Sequence, residues 1–196
     1  RELKVYDSFE GLPPPTTHDI WPEGLGFFEG VYKGALEEVT DNVRRLGVPE
    51  VCEFRKGWFK DTLPHHKEPV ALAVVDVDYH SSLYDCVTML WSHLSDSAYF
   101  FIDEYVFTDY CALFFSEKFW RTHFQCDPPG LFGSGTGVQV GEYYLGPWSE
   151  MWMSQNPASI AYTRKGMKAV WEYYPAETPP ELRHPEMAGS SGAPAV

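Results

Sequence analysis

Two pairs of carboxylates carry the first chemical signal in this chain: Asp76 and Asp78 in Asp76-Val77-Asp78, and Asp103 and Glu104 in Asp103-Glu104-Tyr105. Each pair ends an apolar run, Val70-Ala71-Leu72-Ala73-Val74-Val75 in the first case and Tyr99-Phe100-Phe101-Ile102 in the second. Four acids brought together repel one another and resist ionisation unless something positive sits among them. A hard divalent cation suits oxygen donors of this kind.

The spacing around these acids predicts the elements that would bring them together. Between the two runs, residues 82–94 place Leu83, Cys86, Val87, Leu90 and Leu94 along one helical face. Strand, helix, strand is the unit of a parallel α/β sheet, whose strand ends open onto a shared crevice where ligands bind. Upstream, residues 3–6 read as a strand ending at Asp7-Ser8, and 51–55 as a second strand. The helix between them, 36–46, carries Leu36, Val39, Val43 and Leu46 on one face, and Gly47 with Pro49 stops it. Asp7 alone is an ordinary strand-end turn residue, but an acid at such a tip in a nucleotide-binding fold commonly accepts the ribose hydroxyls. Trp58 and Phe59, beside Gly57 at the next strand end, suit a core plug and a flat wall for adenine equally well.

The remaining segments carry weaker signals. Residues 16–34, rich in Gly, Pro and aromatics, read as a surface loop able to cover a site. His65-His66 is poorly spaced for a metal, because adjacent side chains on an extended segment point to opposite faces, and it reads as solvated loop. An aromatic-rich helix is expected over 113–124 (Phe114, Phe115, Phe119, Trp120), as core or as a contact surface for a second copy. Gly133-Ser134-Gly135-Thr136-Gly137 lacks the preceding strand and following helix of a dinucleotide loop, and reads as a turn into a strand over 138–144. A last strand is expected at 160–163, closing a single α/β domain over 1–174 before a tail, 175–196, with the composition of disorder.

Bulk properties narrow the function. A formal net charge of −13 opposes a nucleic-acid backbone or an anionic membrane surface as partner. No apolar run approaches the roughly 20 residues of a membrane-spanning helix. The four cysteines, Cys52, Cys86, Cys111 and Cys126, are widely spaced with no C-x-x-C pair, which favours reduced thiols in a cytoplasmic protein. The first residue is Arg1 and no targeting segment is visible, so the chain is expected to begin inside a domain.

Tyr6-Asp7-Ser8-Phe9-Glu10-Gly11-Leu12-Pro13, Lys56-Gly57-Trp58-Phe59-Lys60-Asp61-Thr62-Leu63-Pro64, Asp76-Val77-Asp78 and Asp103-Glu104-Tyr105 follow one another in this order. Together they closely resemble the macrocin-type O-methyltransferases, S-adenosylmethionine-dependent enzymes that methylate sugar hydroxyls of macrolide antibiotics. The resemblance runs from Val5 to Phe119, with an echo at Ala161-Tyr162-Thr163-Arg164-Lys165. It implies a Rossmann-like methyltransferase sheet in which Asp7 and Ser8 lie at the cofactor's ribose and Gly57, Trp58 and Phe59 near its adenine. It also implies Mg²⁺ at Asp76, Asp103 and Glu104, with Asp78 as proton acceptor or alternative ligand.

The chain departs from this pattern in three places. Glu104 replaces the family's second acid after the later strand, and its longer side chain would shift the metal. The family's Tyr-Glu-Ser reads His80-Ser81-Ser82 here, so an acid is missing and His80 becomes a candidate base, against the alternative of a loop histidine in water. The glycine-rich loop that cradles the cofactor's methionine end is absent, which makes the implied sheet N-terminally incomplete. The expected function is Mg²⁺-assisted methyl transfer from S-adenosylmethionine to a hydroxyl of a small molecule, sugar or polyketide-like. The alternative is a non-catalytic remnant of the fold that binds a ligand or partner.

Overall fold

The structure is a computed structural model that describes residues 2–19, 27–103, 108–132 and 160–166. Leu3–Asp7 (β1) pairs in parallel with Cys52–Lys56 (β2), Leu3 opposite Cys52 and Asp7 opposite Lys56. The crossover between them contains Leu36–Leu46 (α1), with Glu37 and Glu38 in its first turn and Arg44 and Arg45 in its last, the arrangement that complements the helix dipole. The predicted apolar face forms but stays shallow. None of its residues is fully buried, and Leu46 is 83% exposed.

The second unit is Val70–Val75 (β3), His80–Leu90 (α3) and Leu94–Ile102 (β4), and the two strands are parallel. Ala161–Arg164 (β5) runs antiparallel along β4, with Ile102 opposite Ala161. The helix stops short of the predicted 94 because Trp91–His93 tightens into a 3-10 turn and Leu94 pairs with Val70 as the start of β4. The described strands form two sheets, β1-β2 and β3-β4-β5, with no ladder joining them.

The core lies on one side of the larger sheet. Ala73, Val75, Phe100, Ile102 and Ala161 pack against Leu83, Cys86, Val87 and Trp91. Residues 113–124 are not one helix. Phe59–Thr62 (α2), Thr108–Leu113 (α4) and Glu117–Phe124 (α5) complete the helices, and α5 starts afresh because the Ser116 hydroxyl accepts the Phe119 N–H. Phe114 and Trp120 are buried in the core, Trp120 edge-on to Trp91 with ring centroids 4.6 Å apart and its indole N–H on the Leu113 carbonyl at 2.8 Å. Phe115 points outward.

His66 corrects the expectation of a solvated histidine pair. Only His65 is exposed; His66 is 5% exposed, its Nδ1 2.9 Å from the Tyr6 hydroxyl and its Nε2 2.7 Å from the Glu68 carbonyl. It ties β1 to the segment that leads into β3. Glu104, the 133–137 glycines, the strand expected at 138–144 and the 175–196 tail lie outside the described residues. No helix among the described residues is long and apolar enough to cross a membrane.

Candidate functional site

Strand register brings the acids together. Val75 pairs with Ile102, so Asp76 and Asp103 leave the sheet side by side, and the Asp103 N–H donates to the Val75 carbonyl at 3.0 Å. The chain then turns sharply. The Tyr79 N–H reaches the Val77 carbonyl at 2.6 Å, and Asp78 sits between them at φ +57°, a left-handed conformation that residues other than glycine seldom adopt. The Tyr110 hydroxyl donates to the Asp78 carbonyl at 2.9 Å and helps hold that turn.

The electrostatics follow from this crowding. Burial, with the charges of Asp76 and Asp103, pushes the Asp78 carboxyl up to about 6. Asp76 reaches solvent at its tip, yet the surrounding walls and Asp103 push its carboxyl above the usual range too. Among the described residues no three His, Cys, Asp or Glu side chains converge into a ready metal cage. Asp76 and Asp78 nevertheless resist ionisation, and a cation placed beside them would relieve that resistance. The donor set, all carboxylate oxygen, fits a hard cation.

The tips of β1 and β2 are built differently. Gly57 continues the ladder by donating its N–H to the Asp7 carbonyl at 2.9 Å. The Asp7 carboxylate accepts the Phe9 N–H at 2.5 Å, and the buried Ser8 hydroxyl donates to the Gly11 carbonyl while accepting the Glu10 N–H. Gly57 stands at φ +144°, where a Cβ would lie 2.8 Å from the Thr62 methyl, so no larger residue fits without displacement. Trp58 opens α2, and the Thr62 hydroxyl returns to the Trp58 carbonyl at 2.9 Å. Phe59 is half-buried against the core and also faces the cavity, so the core and the binding-wall readings both describe it.

One cavity of about 450 Å³ joins the two sets of tips. Asp7, Ser8, Gly57, Trp58 and Phe59 line it from one side and Asp76, Asp78 and Asp103 from the other, with Gly11, Leu12, Pro13, Tyr32, Val77 and Ser82 completing the wall. His80 does not line it. It begins α3, half-buried between the rings of His18 (5.4 Å) and Tyr110 (5.6 Å), where burial and His18 lower its pKa and favour the neutral ring. It is not the water-exposed loop histidine that the sequence also allowed.

Sequence reasoning missed Asp19, Tyr32 and Tyr110. Asp19 is almost fully buried, and Tyr110 brings its hydroxyl to the acid turn from α4. Thr16 and Asp19 have the spacing of a local side-chain-to-backbone turn, which was a readable signal. The long-range partners of Asp19 gave none.

Comparison with known proteins is consistent with this geometry. A family model described as Macrocin-O-methyltransferase (TylF) matches residues 1–128. The 8-demethyl-8-(2,3-dimethoxy-alpha-L-rhamnosyl)-tetracenomycin-C 4'-O-methyltransferase of Streptomyces olivaceus is 36% identical over 110 residues, 54% of this chain and 42% of that protein. Demethyldecarbamoylnovobiocin O-methyltransferase of Streptomyces niveus is 32% identical over 124 residues, 57% of this chain and 44% of that protein. The chain thus spans less than half the length of these curated relatives. Two solved structures share the fold at a TM-score of 0.53: the O-methyltransferase NovP (23% identity) and CalS11, a calicheamicin methyltransferase (18%). They cover 86% and 85% of this chain, and 61% of each neighbour is matched.

Proposed function

The chain belongs to the macrocin O-methyltransferase family, and on that premise we propose that it serves methyl transfer from S-adenosylmethionine to a hydroxyl of a small glycosylated or polyketide-like molecule. The observation that carries this reading is the single cavity shared by Asp7, Ser8, Gly57, Trp58 and Phe59 on one side and three carboxylates on the other. The first set offers a cofactor what a nucleoside needs: hydrogen-bonding groups at a strand tip and an aromatic wall. The second set offers an acceptor hydroxyl what it must have to react, a group that takes its proton.

The transfer is an in-line displacement, so its main demand on the protein is alignment. The sulfonium S–CH₃ bond breaks, the C–O bond forms, and the hydroxyl proton passes to a carboxylate. Asp78 fits that role because its carboxyl, near 6, is ionised at neutral pH yet still basic enough to accept a proton. Asp76 and Asp103, with Glu104, would hold Mg²⁺, whose chemistry when bound is to polarise an oxygen and lower the pKa of its proton. The relatives' names supply the acceptor class for a first assay. One names a rhamnosyl 4'-hydroxyl, so methyl α-L-rhamnoside is a rational probe.

The decisive test is calorimetric titration of S-adenosylhomocysteine into the chain with and without Mg²⁺, followed by transfer from labelled S-adenosylmethionine to methyl α-L-rhamnoside. Saturable binding with label on the sugar is the expected result; no binding under either condition overturns the cofactor half of the proposal. A second reading, a non-catalytic binding remnant of the fold, draws support from His80-Ser81-Ser82, which stands where the family pattern carries an acid. It predicts binding without transfer.

A further inference from the structure

We propose that Asp19 is a positioning residue, a latch that fastens the segments 11–19 and 27–32 to the acid turn and so sets the acceptor-facing wall of the cavity. The proposal rests on the methyl-transfer reading above. Asp19 is 1% exposed, and its carboxylate accepts four hydrogen bonds. Two come from its own loop, the Thr16 N–H at 2.8 Å and the Thr16 hydroxyl at 2.7 Å. Two come from the first turn of α3, the Ser81 N–H at 3.1 Å and the Ser81 hydroxyl at 3.0 Å.

The Ser81 N–H is one of the donors that a helix start leaves without an intrahelical partner. Tyr79, at the N-cap, makes no side-chain capping bond, so the cap of α3 is supplied from 62 residues upstream. A carboxylate there also meets the positive end of the helix. Burial alone would raise the pKa of Asp19, but the bonds from Thr16 and Ser81 outweigh it and hold the carboxyl below its usual range.

A second tie reinforces the first. The buried Tyr79 hydroxyl donates to the Phe27 carbonyl at 3.0 Å. The two arms of the loop are clasped at their base, with the Leu12 N–H on the Val31 carbonyl and the Gly30 N–H on the Leu12 carbonyl, both at 2.9 Å. Gly11 stands so close that a Cβ would lie 2.5 Å from the Gly30 carbonyl oxygen. This clasp delivers Leu12, Pro13 and Tyr32 to the cavity. Burial and the charges of Asp78 and Asp76 push the Tyr32 hydroxyl pKa up, as expected of a ring that faces the acids. The latch therefore holds both sides of one space: the turn that carries Asp78, and the arm that carries Tyr32. Asp7, Gly57 and Trp58 take no part in these bonds, and the loop meets the cofactor side through the Ser8 hydroxyl on the Gly11 carbonyl at the foot of the clasp, so the cofactor side should feel its loss far less than the acceptor side.

The test uses Asp19→Ala and Asp19→Asn in the full chain. Amide hydrogen exchange at Leu12 and Gly30 should be about tenfold faster in Asp19→Ala, the scale of a lost helix cap, while the Gly57 amide is unmoved. The KM for methyl α-L-rhamnoside should rise about tenfold while that for S-adenosylmethionine stays within about twofold, since it is chiefly the acceptor wall that has loosened. Asparagine keeps one accepting oxygen, so Asp19→Asn should recover part of both effects. Unchanged clasp exchange overturns the latch. Faster exchange with an unmoved rhamnoside KM, or with both KM values raised alike, overturns the positioning role. If the wild-type chain transfers no methyl group, the functional reading fails, and the exchange rates alone still decide whether the latch exists.

Discussion

The two halves of the cavity wall are built on opposite electrostatic plans. At the β1-β2 tips polar bonds close locally: Asp7 holds the Phe9 N–H, Ser8 bridges Glu10 and Gly11, and Gly57 extends the ladder. At the β3-β4 tips the register forces carboxylates together, and two of them, Asp76 and Asp78, have pKa values pushed upward by burial and by a neighbouring carboxylate, Asp103 for both and Asp76 as well for Asp78. The first half is shaped before any ligand arrives. The second is strained by its own charge and is stabilised by whatever positive group or proton enters it. The proposed methyl transfer, which calls for a seat for a neutral aromatic ring and a group that activates a hydroxyl, would be well served by this division.

The sharpest way to break the comparison is to remove an acid. Asp103→Ala should weaken Mg²⁺ or Mn²⁺ binding by more than about 100-fold, since even an outer partner of a metal ligand is worth roughly 10–100-fold. S-adenosylhomocysteine affinity measured without metal should stay as in the wild type. Retained metal affinity in that variant would falsify the acid tips as the cation's place.

The reciprocal change is Gly57→Val. The backbone strain and the contact with Thr62 should weaken S-adenosylhomocysteine by about tenfold, the equivalent of roughly 1.4 kcal/mol, with metal binding unaltered. Equal loss of both ligands by titration would mean the halves are not independent. Phe59→Ala is predicted to blur the boundary. It should weaken the nucleoside several-fold and also lower the melting temperature, because that ring packs on the core as well as on the cavity.

The smallest effect is on pH dependence, and its sign follows from Asp78. Its folded carboxyl titrates near 6, above the unfolded 3.8, so the folded state binds more protons between those values. That contribution favours folding at low pH and is lost as pH rises through about 6. His80 and His93, whose pKa values burial lowers, act in the opposite direction, so the difference between wild type and Asp78→Asn is the informative quantity. Melting curves from pH 4 to 8 should show the variant gaining on the wild type as pH rises, and saturating Mg²⁺ should shrink that gain. A pH-independent difference would remove the electrostatic argument for the acid half.

Much of this was legible in the chain because it depends on local order. The strand-helix-strand unit at Val70–Ile102, the helix at Leu36–Leu46 and the acids at strand ends follow from periodicity and from where apolar runs stop. The motif around Gly57 was legible through the resemblance, and the structure adds the local reason for its glycine, a positive φ beside a strand end. The apolar run of β3 left one thing open: Leu72 and Val74 are 55% and 72% exposed, and nothing in a run of like residues says which face a described neighbour will cover. His66 and residues 113–124 misled for a related reason: a tyrosine hydroxyl 60 positions away buries one, and a serine cap breaks the other.

Sequence by itself determined which residues could do chemistry, because residue type, alternation and strand ends are properties of neighbours along the chain. Only the tertiary structure decided which of them meet. Register aligned Asp76 with Asp103, packing set His80 among rings away from the cavity wall, and Asp19 came from a loop across 62 residues to cap α3. Such contacts are fixed by how whole elements dock, and a chain read one window at a time carries no trace of that geometry.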